Sequence, residues 1–171
     1  IELFLHTASK QSGNIWRSEE ICSKIGAGGD AVNSNDMKGK IHNSMYQQLQ
    51  KSGIAVPVQV LMDLSILSKE DYERWRFGKV DYLERVCKVN LSKLSLIMRE
   101  IRSYAAKNNL KASWTFYKQW GLKNCSHARK LRFSKSGGED IEKAYATHYI
   151  DPIRVSELKQ QSQICSKTHC E

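Results

Sequence analysis

Apolar and polar residues alternate along this chain mainly with helical spacing. Met37, Ile41, Met45 and Leu49 recur every four residues, while Lys40, Asn43, Gln47 and Gln50 fall on the other side. That stripe predicts a helix over about 37–51, ended by Gly53. Ahead of it, Leu3, Phe4 and Leu5 mark a short apolar segment. Ser18 followed by Glu19 and Glu20 then caps a helix bearing Ile21, Cys22 and Ile25. Gly26, Gly28 and Gly29 end that helix, and residues 26–36 form a polar connection.

Val58 to Leu67 is a second apolar block. Ser68, with Asp71 three residues on, opens a helix carrying Tyr72, Trp75 and Arg76. Gly78 breaks it, and Val80, Leu83, Val86 and Cys87 suggest another short helix. The clearest pattern starts at Asn90, a good cap, and runs to Lys107. Its wide stripe is Leu91, Leu94, Ile97, Met98, Ile101, Tyr104 and Ala105, with Ser92, Ser95, Arg99, Arg102 and Ser103 outside. Residues 113–120 fit a short helix or a strand equally well. Leu131 to Ser134 reads as a short strand, 139–149 as a helix with Ile141, Ala144, Tyr145 and His148 on one side, and 151–171 as a polar tail. The expected fold is mainly α, with at most a few short strands and three parts: 1–55, 56–150 and 151–171.

Composition supports that reading. In 171 residues 40% are hydrophobic and only two are proline, enough apolar mass for a core and few helix breakers. No apolar run approaches the roughly 20 residues of a membrane span. Five scattered cysteines suit a reducing, cytoplasmic setting better than a disulfide framework.

Charge changes the picture most. The chain carries +9, but Arg85 to Lys135 holds thirteen basic residues against one acid, Glu100. A folded surface normally mixes signs, and a polyanionic partner relieves the self-repulsion of a one-signed stretch. Arg99, Arg102, Lys107, Lys111, Arg129, Lys130 and Arg132 are the expected phosphate contacts. Tyr104, Trp114, Phe116, Tyr117, Trp120 and Phe133 are interleaved with them. Such aromatics either stack on bases or belong to the core.

The helix at Arg17-Ser18-Glu19-Glu20-Ile21-Cys22-Ser23-Lys24-Ile25-Gly26 and the longer one from Met37 to Gly53 resemble the helix-turn-helix of winged-helix DNA-binding domains. The resemblance covers the N-terminal third and departs from the family in its long turn. It implies that the second helix enters the major groove, where Lys40, Asn43 and Gln47 would read base edges. Two ordinary amphipathic surface helices would show the same pattern.

Other clusters carry weaker signals. Cys125, His127, Cys165, His169 and Cys170 offer zinc-type donors, but not at the familiar spacing, and read better as incidental loop and tail residues. Glu139, Asp140, Glu142 and His148 near Ser134 and Lys135 would be the material for a metal-dependent nuclease. Glu139 and Asp140 read better as first-turn acids, and His148 as a partner of Tyr145 or Tyr149. The glycines at 26–29 follow a helix, the wrong order for a phosphate-cradling loop. The expected function is therefore non-enzymatic binding of double-stranded DNA, as a regulator or accessory factor, with no cofactor or bound metal. RNA or single-stranded DNA is the alternative ligand. A nuclease, or a module for an acidic protein partner, is the alternative class.

Overall fold

A computed structural model describes residues 34–121 and 129–167, with side chains given for 35–121 and 129–161. Helix α1 (Ser34–Ser52) starts three residues ahead of the expected Met37 and buries Met37, Ile41, Met45 and Leu49. It stops at Gly53, whose φ of 70° lets its N–H donate back to the Leu49 carbonyl at 2.7 Å. Strand β1 (Ile54–Ala55) follows, then α2 (Pro57–Asp63), with proline in the first turn, where its missing N–H costs nothing. The second apolar block is thus a two-turn helix closed by Ser65 in the left-handed region.

Helix α3 (Lys69–Arg76) is capped as its sequence demands: the Ser68 hydroxyl accepts from the Asp71 N–H at 3.1 Å. A 3-10 turn covers Leu83–Val86. Here the Cys87 thiol donates to the Leu83 carbonyl, and burial pushes its pKa up to about 12, so it is an inert thiol. Helix α4 (Leu91–Lys107) has Asn90 as its cap, accepting from the Lys93 N–H at 2.9 Å. It buries Leu94, Ile97, Met98, Ile101 and Ala105. Strand β2 (Lys111–Trp114), helix α5 (Glu139–Ala146), strand β3 (Thr147–Ile150) and helix α6 (Pro152–Lys167) complete the order.

The three strands form one antiparallel sheet in the order β1-β3-β2. In it Tyr149 stands between Ala55 and Ala112. Three expectations are corrected here. The helix expected over 139–149 ends at Ala146, because Thr147-His148-Tyr149-Ile150 is claimed by two partner strands from distant sequence. The segment Leu131 to Ser134 makes only isolated bridges, Arg132 with Tyr82 and, just before it, Lys130 with Lys118. The polar tail is helical to Lys167. Its Arg154 guanidinium donates to the Gln50 carbonyl at 2.9 and 3.1 Å, and Val155 packs on Gly53.

One core cluster joins residues on both sides of position 55, from Met37 to Tyr149. Its centre is aromatic. Trp75 is fully buried and donates its indole N–H to the Arg132 carbonyl at 2.8 Å. The Tyr117 and Phe133 rings lie 5.7 and 5.1 Å from Trp75, and Tyr145 stacks on Phe133 at 5.6 Å. Tyr117 and Phe133 are therefore core residues, unavailable for stacking on bases.

Candidate nucleic-acid interface

Helix α4 sets the main cationic surface. With its apolar stripe turned inward, the opposite side exposes Ser92, Ser95, Arg99, Arg102 and Lys107. Lys111, exposed at the start of β2, extends this surface past the helix end. Among the described residues, no carboxylate lies within ion-pair distance of Arg99, Arg102, Lys107 or Lys111. Arg102 is electrostatically coupled to Tyr149. Burial raises the pKa of that phenol, and the guanidinium partly reverses the effect.

Glu100, the one acid of the basic segment, is turned away from Arg102. It sits in the seam between α4 and α1, accepting from His42 Nε2 at 2.7 Å and pairing with Lys38 at 3.5 Å. Partial burial opposes its ionisation, but His42 and Lys38 outweigh that and hold its pKa below the usual value. His42 also packs on Tyr104, with ring centroids 4.9 Å apart. Tyr104 is thus half-buried in the same seam.

The expected base readers of α1 form a second surface. Lys40, Asn43 and Gln47 are all exposed and align at i, i+3 and i+7. At 100° per residue they lie on the flank of α1 away from His42, and Arg102 lies on the flank of α4 away from Glu100. Arg102 and the α1 stripe thus lie on opposite sides of the seam, whereas Lys107, seven residues after Glu100, lies two turns further along the Glu100 side. Lys40 is held by Asp36 one turn back, at 2.8 Å.

Arg129, Lys130 and Arg132 make a third group, and they are not equivalent. Arg129 is exposed. Lys130 sits over the Phe116 ring, its Nζ 3.6 Å from the centroid. Arg132 is exposed but committed to its own loop, donating to the Lys135 carbonyl at 2.7 Å and weakly to that of Ser134. Its guanidinium also packs on Gly137, so its own loop already engages it.

The same loop is pinned from below by two carboxylates whose roles sequence reasoning missed. Glu142 accepts from the Phe133 and Ser134 N–H groups at 2.9 and 2.7 Å and from the Ser134 hydroxyl at 2.6 Å. Glu84 accepts from the Lys135 N–H and the Tyr145 hydroxyl. Glu139 pairs with Lys143 at 2.7 Å, as a first-turn acid should. His148 does not partner Tyr145 or Tyr149; its Nε2 meets the Tyr117 hydroxyl at 2.9 Å. Burial lowers its pKa to about 4. Among the described residues, no three His, Cys, Asp or Glu side chains converge on a common point.

The aromatics divide by a two-residue period. From Ser113 to Lys118 the inward positions are Ser113, Thr115 and Tyr117, and the outward ones Trp114, Phe116 and Lys118. Trp114 and Phe116 are 49% and 47% exposed, unusual for such large apolar side chains on a strand edge. Trp120 is partly exposed but occupied: it covers the Arg76 guanidinium at 4.4 Å and meets Phe77 edge-on.

The first helix of the helix-turn-helix resemblance (17–26), Lys123, Cys125, His127, His169 and Cys170 lie outside the described residues, as does the side chain of Cys165. No helix of the described residues is long and apolar enough to cross a membrane. Neither the family models, nor the curated proteins, nor the solved structures contain a match to this chain.

Proposed function

We propose that this protein binds duplex DNA, through the outer face of α4 and its exit into β2, and does not cleave it. The observation that carries the reading is the state of the charges. Arg99, Arg102, Lys107 and Lys111 stand in solvent with no carboxylate of the described residues in ion-pair distance, while the segment's one acid is turned into the α1 seam. Exposed cations preceded on the same helix by the exposed Ser92 and Ser95 hydroxyls suit phosphate oxygens, which give affinity without sequence preference. Lys107 also sits at the negative end of the α4 dipole, so the helix stabilises the charge that the phosphate would meet. The α1 stripe of Lys40, Asn43 and Gln47 is a separate, base-reading candidate on another flank.

The test is fluorescence anisotropy with a labelled blunt duplex. Arg99→Glu with Arg102→Glu should abolish most binding while circular dichroism and the melting temperature stay unchanged, because neither side chain supports the core. Unchanged affinity would remove α4 from the site. If polyglutamate of matched charge competed as well as unlabelled duplex, the face would be fitted to an acidic protein instead.

A further inference from the structure

Beyond phosphate contact, Trp114 and Phe116 are placed to do something duplex DNA does not need. They stand outward on edge strand β2 and its extension, their rings 4.9 Å apart and nearly perpendicular at 88°. Beneath them opens a cleft of about 250 Å³, floored by Tyr117, Leu131, Phe133 and Ala146. That is below the roughly 300–1,000 Å³ typical of drug-sized ligands, and suits one planar ring system.

The rim carries two lysines and two glutamates. Lys130 lies over Phe116 at 3.6 Å, Lys143 lies 6.0 Å from the Trp114 centroid, and Lys118 faces Lys130 across the bridge. The two acids at the cleft are already engaged: Glu139 by Lys143, and Glu142 by three donors of the 133–134 loop. With Lys143 and Glu139 paired to each other, Lys130 is the rim cation with no carboxylate in ion-pair distance among the described residues, and the interior is aromatic.

Spacing selects the ligand further. Alternate residues of a strand stand about 6.6 Å apart. Stacked bases in a duplex are about 3.4 Å apart and hide their faces. Here the two rings meet edge to face and Lys130 covers Phe116, so the open stacking surface is that of Trp114, and a base laid on it must have left its own stack, with Lys130 beside it to meet a phosphate. Base–aromatic stacking of this kind is indifferent to sequence.

We infer that the Trp114–Phe116 cleft holds an unstacked base of single-stranded DNA adjoining the duplex that α4 grips. This deepens the DNA reading above and rests on it for the duplex half of the ligand. The extended course of the 111–118 segment, one of the two readings open for 113–120, is what brings the two rings outward together.

The experiment compares a blunt duplex with the same duplex carrying a six-thymidine 3′ tail. Wild-type protein should bind the tailed duplex about tenfold more tightly, within the range that stacking contributes per base. Trp114→Ala and Phe116→Ala should each remove most of that gain and leave blunt-duplex affinity unchanged. Trp114→Phe should retain much of it, which a merely structural role for the indole would not predict. Arg99→Glu with Arg102→Glu should weaken both substrates alike. No gain from the tail in the wild type, or a gain that survives both alanine variants, overturns the inference. If the blunt duplex does not bind but oligothymidine does, in a Trp114-dependent way, the cleft stands and the duplex reading falls.

Discussion

The cations on the outer side of α4 allow a salt dependence to be worked out before any binding is measured. Each phosphate neutralised on duplex DNA contributes about −0.9 to the slope of log K against log salt. With Arg99, Arg102, Lys107 and Lys111 each meeting one phosphate, the slope should be about −3.6. Raising salt from about 50 to about 200 mM would then weaken binding about 150-fold. Changing Arg99 and Arg102 to alanine leaves two contacts, a slope of about −1.8 and a loss of about 12-fold over the same interval. Stability should move by no more than about 0.5 kcal/mol, because both side chains are exposed and have no ion-pair partner among the described residues. The assay is anisotropy at five salt concentrations, with urea unfolding as the control. An unchanged slope in the double variant would refute the assignment, even if affinity fell. A fall in affinity with no fall in slope means that something other than charge was lost.

Two further outcomes follow from the fold. Burial lowers the His148 pKa to about 4 against about 6.5 in the unfolded chain, so the folded state binds fewer protons between those values. Stability contributed by keeping His148 neutral is complete above about pH 6.5 and is lost as pH falls towards 4. Urea unfolding should give about 2 kcal/mol less at pH 5 than at pH 7, and His148→Gln should flatten that difference; an identical slope in the variant would point to other groups. Gly53→Ala should destabilise by more than about 1 kcal/mol, because φ is +70° and the new Cβ would strike Val155 of α6. A melting temperature unchanged from wild type would show that α6 yields freely.

Helix α4 was legible because its signals agree. Asn90 caps it, the apolar stripe persists for about four turns, and Asn108-Asn109 closes it, with Asn109 in the left-handed region. Ser68 and Asp71 marked α3 for the same reason. Strand β3 was not legible because it follows α5 without a break, and Tyr145 and His148 keep helical spacing. What converts it is pairing with Ala55, more than ninety residues away in sequence, and with Ala112. The cationic segment was visible from charge alone. Which cations stay available was not, because that depends on tertiary neighbours: Arg132 turns back on carbonyl groups, and Lys130 settles over Phe116. The alternation through Trp114 and Phe116 was present in the letters. It carried meaning only once the segment was extended, since a helix would have put Tyr117 and Trp114 on neighbouring faces.

The most direct test of the polyphosphate surface is lysine acetylation footprinting, read by mass spectrometry with and without saturating blunt duplex. Lys107 and Lys111 should become strongly protected, and Lys79, in the turn after α3, should label at its free rate. Equal labelling of Lys107 and Lys111 in the two samples, with the duplex demonstrably bound, would place the ligand on another part of the molecule and contradict the account.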